Sequence, residues 1–182
     1  MKYYYLVFLV VVFSCTNENL NLELFNISQK NILNEILEKN DSSLTKAFDL
    51  NQSSIEDVYY NHLKSLNEVG LSEIPILFIK DKSYLEGLYN VNLISRSKIK
   101  IYKTGEKINK FNLNLNGEYI DFLEFIAKSN DLVFRYFMSI KSSGGLSPVS
   151  TKLILSSFKK KDLKNDNIRL IVCIHFLLIN NS

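Results

Sequence analysis

Residues 98–115 read KIKIYKTGEKINKFNLNL, and this stretch decides the fold class because it alternates apolar and polar residues on both sides of a turn. Residues 98–103 and 111–115 have the two-residue period of a β-strand, and residues 104–106 between them are typical of a turn. Ile108 falls out of phase with the second strand, so we expect a bulge there. The pattern predicts a β-hairpin.

Two helices and a strand are predicted before the hairpin. Ser28 is a candidate N-cap for a first helix with one apolar face. Residues 53–56, SSIE, form a capping box for a second helix, whose apolar residues keep helical spacing until Gly70 ends it. Residues 74–79, IPILFI, predict a short buried or edge strand, and residues 83–86 predict the start of a short helix.

Beyond the hairpin the period becomes helical. The apolar stripe of residues 122–141 predicts one long helix, or two abutting helices broken near residues 129–131. Residues 147–148, Ser-Pro, predict the N-cap and first turn of another helix, which we expect to end in the lysines at 159–161. Residues 168–179 are almost continuously apolar and rich in β-branched side chains, which predicts a central strand. The expected fold is α+β, with several helices packed on a small mixed or antiparallel sheet that contains the hairpin.

Composition narrows the class of protein. The chain has 182 residues, of which 46% are hydrophobic and 23% charged, as expected for one globular domain with a core. The net charge is only +3, and nucleic-acid-binding domains usually carry a much larger, clustered basic surplus. We therefore expect no nucleic-acid partner.

The first fifteen residues, MKYYYLVFLVVVFSC, have the layout of a signal peptide. Lys2 supplies a positive charge, and the roughly ten apolar residues after it are too few for a membrane span of about twenty. An aliphatic residue, Val12, lies three positions before Cys15, and a small residue, Ser14, lies directly before it.

This segment resembles the lipobox signal peptide of bacterial lipoproteins, although Phe13 is larger than the residue usual at that position. The resemblance covers residues 1–15 only. It implies cleavage between Ser14 and Cys15, and attachment of a diacylglycerol and a further acyl chain such as palmitate to Cys15. The alternative is an ordinary cleaved signal peptide in which the cysteine is coincidental, but no A-x-A cleavage site is present.

The expected domains are therefore a signal peptide over residues 1–14, an acylated tether over 15–21 and a single α+β domain over 22–182. The resemblance implies that the membrane is a partner through the acyl chains on Cys15. No aspartate follows Cys15 directly, which favours the outer membrane over the inner membrane.

The mature chain shows no catalytic motif. His62 and His175 each lie on a predicted apolar face, where a packed core histidine is the simpler interpretation, and no spacing supports a metal site. Cys173 and His175 are two residues apart in the predicted final strand, which would point both to the same side of the sheet. A buried, inert thiol is still the simpler interpretation of Cys173. We expect no cofactor.

The basic cluster Lys159, Lys160 and Lys161 has two interpretations. The lysines are either cations at a helix C-terminus, or a contact surface for anionic lipid or acidic polysaccharide.

Three functional hypotheses follow. The first is a non-enzymatic binding lipoprotein of the bacterial cell envelope, displayed on the outer membrane and facing a partner protein or host molecule. The second is a periplasm-facing accessory lipoprotein in envelope assembly or transport. The third is a hydrolase with an unrecognised site.

Overall fold

The structure is a computed structural model that describes residues 22–48, 53–71, 78, 80–100 and 107–181. These ranges contain two strands, β1 (Ile94–Lys100) and β2 (Lys107–Leu113), which pair antiparallel. A short 3-10 helix spans Asp162–Lys164. The α-helices are α1 (Ile27–Ala47), α2 (Ile55–Val69), α3 (Lys82–Asn90), α4 (Glu118–Ala127), α5 (Asp131–Ser143), α6 (Pro148–Ser157) and α7 (Asp166–Ile179). The predicted α+β class, with helices packed on a small antiparallel sheet, is confirmed.

Helix α7 forms the centre of the core, and the strand predicted over residues 168–179 is wrong. Every residue from Asn167 to Leu178 is buried, so this helix is surrounded by protein on all sides. A helix with no solvent-facing side loses its 3.6-residue polar period, and a continuous apolar run then looks the same as a buried strand. At its start, the Asn165 side chain accepts a hydrogen bond from the Asn167 backbone N–H at 2.8 Å.

The hairpin has a regular register, and the bulge expected at Ile108 is absent. Pairing runs without interruption from Ile94–Leu113 to Lys100–Lys107, and Ile108 pairs with Ile99. Ile94 and Leu113 are both buried and fix the register at the base of the hairpin, so one residue out of phase does not displace the ladder. Strand β1 begins four residues earlier than predicted, at residue 94 instead of 98. The predicted turn at 104–106 lies outside the described residues.

The first three helices form where the sequence predicts them, but their first residues differ. Helix α1 is capped by Asn26 in a capping box with Gln29, instead of by Ser28. In α2, Ser54 is the N-cap but makes no hydrogen bond to the helix backbone, and its hydroxyl donates to the Asp57 carboxylate at 2.8 Å. The box predicted over residues 53–56 is therefore not formed.

The remaining local predictions are confirmed in part. Gly70 ends α2, and Asp81 caps α3. The two-helix alternative is correct for the stretch after the hairpin, because Asn130 caps α5 through hydrogen bonds from the N–H groups of residues 132 and 133. The strand predicted over 74–79 lies outside the described residues except for Phe78, which stacks on Phe176 with ring centres 4.4 Å apart.

Helix α6 begins at Ser147–Pro148 as predicted, with a capping box between Ser147 and Ser150. It ends at Ser157, before the lysines, because the backbone of Phe158 is extended. None of the helices within the described ranges has the length and hydropathy that a transmembrane span needs.

Candidate functional site

A groove of about 560 Å³ opens between β2 and α6, and we call it the β2–α6 groove. Its volume lies within the range of small-molecule sites, roughly 300–1,000 Å³. The end of α2 and the end of α7 complete the lining. Its apolar lining residues include Phe111, Leu113, Leu146, Leu155, Leu178 and Ile179.

Local structure explains why these side chains meet. The two-residue period of β2 places Phe111 and Leu113 on its buried face. In α6, Thr151 and Leu155 are four residues apart and therefore lie on one side of the helix, toward the groove. Strand and helix thus present apolar walls to the same space.

Among the described residues, the charged ones that line the groove are two lysines. Lys110 belongs to β2 and Lys152 to α6, and no described lining residue carries a carboxylate. Neither lysine has an ion-pair partner within the ranges that the structure covers. The described lining therefore combines apolar walls with two positive charges.

Thr151 connects the groove to the core. Its hydroxyl donates to the Ser147 carbonyl at 3.1 Å and lies 3.1 Å from His175 Nε2. Because the single hydroxyl proton is already donated, Nε2 must carry the proton that it shares with Thr151. The Tyr136 hydroxyl, 3.1 Å from His175 Nδ1, then donates to that nitrogen. This arrangement fixes one tautomer of a neutral imidazole.

His175 is poorly suited to activate Thr151 as a nucleophile. Burial lowers the pKa of His175 to about 3, far from the value that suits a general base near neutral pH. The imidazole also donates to Thr151 instead of accepting from it. The chain Tyr136–His175–Thr151 therefore joins α5, α6 and α7 in the core.

Cys173 and His175 do not meet, and the prediction that they share one side is wrong. Two residues along a helix turn through about 200°, so the side chains leave α7 in nearly opposite directions. Cys173 Sγ lies 3.1 Å from the Tyr59 hydroxyl, which donates its own proton to Asp41 at 2.7 Å. Burial raises the pKa of the Cys173 thiol, as expected for an inert core cysteine.

The interpretation of His62 as a core residue is confirmed. Its ring packs 5.3 Å from Phe78 and 5.9 Å from Phe48, centre to centre. Burial lowers the pKa of His62 to about 4, so the ring is neutral near pH 7. In the described part of the chain, no three His, Cys, Asp or Glu side chains are grouped to hold a metal ion.

The lysine cluster directly follows the C-cap of α6 and precedes the 3-10 helix, and none of its lysines lies in the last turn of α6. Lys160 pairs with Asp57 at 2.6 Å, and this hydrogen bond lowers the pKa of Asp57. Lys159 and Lys161 line a separate cleft of about 440 Å³, which also holds the carboxylates of Asp131 and Asp162. Part of the cluster's positive charge is therefore compensated.

A buried ion-pair network around Arg169 is the polar feature that sequence reasoning missed. Its guanidinium contacts Asp166 at 2.9 Å and Asp41 at 3.3 Å, and it donates to the backbone carbonyl of Leu163 at 3.1 Å. Burial raises the pKa of Asp41 more than the single guanidinium lowers it. For Arg169, burial lowers the pKa, but two carboxylates outweigh it and the net pKa is raised. The sequence did contain a signal for this network, namely an arginine inside the apolar run 168–179. A buried arginine is rarely found without a partner, so its position indicated a buried ion pair.

Sequence reasoning also missed the groove lysines, which look like ordinary surface residues in the sequence. Ser14 and Cys15 lie outside the described residues. No protein-family model, characterised protein or solved structure gives a significant match to this chain.

Proposed function

We propose that the protein is a lipoprotein of the bacterial cell envelope, held on the outer membrane by acyl chains on Cys15, and that its domain binds a ligand. The observation that carries the anchoring is the segment of residues 1–15, with an apolar stretch too short to span a bilayer and a small residue directly before the cysteine.

Acylation at Cys15 is physically sufficient for stable attachment. A single acyl chain binds a bilayer only marginally, whereas two or more chains hold a protein durably. Six residues separate Cys15 from Leu22, which is buried in the domain. Seven residue steps span at most about 25 Å, so the domain would lie close to the membrane surface.

The binding role rests on the β2–α6 groove. It is concave, largely apolar and carries two lysines, which is the usual composition of a small-molecule site. The Cys173–His175 pair that a thiol hydrolase could have used is instead packed apart in the core. This arrangement favours binding over the hydrolase alternative.

Metabolic labelling tests the anchor. Cells expressing the full chain are given an alkyne-tagged palmitate, and the wild type is compared with Cys15→Ser. The wild type should carry the label and sediment with membranes, whereas Cys15→Ser should lose the label. Cys173→Ser is the matched control, because it removes the other cysteine and should leave the label unchanged. An unlabelled wild type refutes the anchor.

Protease treatment of intact cells tests the location. Digestion of the domain without lysis is the result expected for a protein displayed on the outer surface. Complete protection of the domain until the outer membrane is opened would instead support the periplasm-facing alternative.

A further inference from the structure

We propose that the β2–α6 groove binds an anionic amphiphile, that is, a long acyl chain whose polar end is a carboxylate or a phosphate monoester, as in a free fatty acid or a lysophosphatidic acid. This inference deepens the proposed binding function and rests on it. It is carried by the pairing of an apolar interior with two lysines on different walls of one groove.

The apolar walls fit an acyl chain. Leu146, Leu155 and Ile179 line the groove and remain partly exposed, although they pack against the hydrophobic core. An acyl chain laid along them would remove this apolar surface from water. An extended peptide would bring its own backbone N–H and C=O groups into the same apolar space, where each needs a partner.

Three polar side chains beside the apolar walls are already hydrogen-bonded inside the protein. Ser147 and Ser150 bond to each other in the capping box. Thr151 donates to the Ser147 carbonyl and accepts from His175. An apolar occupant therefore leaves none of these hydrogen-bonding groups newly unpaired, so its burial is not opposed by their desolvation.

The charge of the groove selects an anion. Lys110 is half-buried on β2 and Lys152 is exposed on α6, so one cation stands on each of two walls. No carboxylate lies among the lining residues that the structure describes, so these residues attract a bound anionic headgroup without a competing negative charge. A lysine ammonium suits either a carboxylate or a phosphate, because it acts as a point charge with three donors.

Photo-crosslinking in membranes tests this site on the full chain. Membranes from expressing cells are incubated with palmitate that carries a diazirine in its chain, irradiated and digested, and the modified peptides are identified by mass spectrometry. We expect modification of peptides from β2, α6 or the end of α7, and competition by excess unlabelled palmitate. A parallel series with a photoreactive lysophosphatidic acid distinguishes the two sources of the headgroup.

Three variants define the chemistry. The double variant Lys110→Glu/Lys152→Glu should reduce crosslinking about a hundredfold, since it removes two charged contacts and each is worth about one decade in affinity. Lys128→Glu, an exposed lysine at the end of α4, is the matched control and should crosslink like the wild type. Leu155→Trp should block the groove by bulk without a change of charge.

Distinct outcomes overturn the proposal. Crosslinks spread over the surface, or crosslinks that resist competition, would mean that no site exists. Equal labelling by a photoreactive hexadecanol would show that the groove does not require an anionic headgroup. Displacement by an acidic apolar peptide but not by palmitate would show that the ligand is a peptide and not an amphiphile.

Circular dichroism of each variant confirms that it is folded. The N-terminal peptide of the same digest reports acylation of Cys15 separately, so failure of the anchor and failure of the groove are told apart.

Discussion

His175 should make the stability of the domain depend on pH, and the structure gives the size of the effect. Burial lowers the pKa of the folded-state imidazole to about 3, whereas an unfolded histidine has a pKa of about 6.5. At a pH between these two pKa values, the His175 imidazole is protonated in the unfolded chain and neutral in the folded chain. Stability therefore falls as the pH falls through this window. From pH 7.5 to pH 5.0 the loss from His175 alone is about 2 kcal/mol, and it stays near that value for any folded pKa below about 4.

The assay is urea unfolding followed by circular dichroism at pH 7.5 and pH 5.0, on residues 15–182 carrying Cys15→Ser. His175→Gln keeps a donor and an acceptor but cannot titrate, so it isolates this residue from His62 and the carboxylates. The wild type should lose about 2 kcal/mol more than His175→Gln between the two pH values. Equal losses in the two proteins would refute the assignment of a buried, neutral His175.

Three further substitutions test other parts of the core by the same unfolding measurement at pH 7.5. Arg169→Met should cost about 3–5 kcal/mol, because it leaves the carboxylate of Asp41 without its guanidinium, and a cost below about 1 kcal/mol would contradict the buried network. Tyr136→Phe should cost about 1–3 kcal/mol, because it removes the donor to His175 Nδ1, and an unchanged midpoint would argue against that hydrogen bond. Gly144→Ala should cost about 1–2 kcal/mol, because residue 144 ends α5 in the left-handed conformation at φ 73°, and a gain in stability would show that this conformation is not required.

Elements with a local signal could be predicted from the sequence. The hairpin shows alternation on both sides of a turn, and Asn130 and Ser147 are side chains that cap helices wherever the chain allows it. Such signals act within a few residues, so the elements that they specify do not depend on how the rest of the chain packs. The first residues of α1 and α2 were less predictable, because several neighbouring Ser and Asn residues compete as caps.

Helix α7 could not be distinguished from a strand, because its identity depends on what surrounds it. A run that is buried on every side has no polar face to mark its period. Once the helix is known, the separation of Cys173 from His175 follows directly. The wrong prediction that both side chains share one side was therefore an error in the type of element, whereas the interpretation of Cys173 as a buried, inert thiol is confirmed.

The groove could not be predicted for a different reason. Lys110 and Lys152 are far apart in sequence and line one groove only because β2 and α6 lie on either side of it. In the sequence each is an ordinary polar position beside apolar neighbours. Sites formed between elements depend on tertiary arrangement, which no local pattern encodes.

Mass spectrometry of the mature N-terminus, on protein extracted from membranes, shows directly whether the chain is anchored by lipid. We expect the first residue to be Cys15, with a diacylglycerol on its sulfur and an acyl chain on its amine. A chain that begins elsewhere, or a Cys15 that carries no lipid, would contradict the proposed anchor.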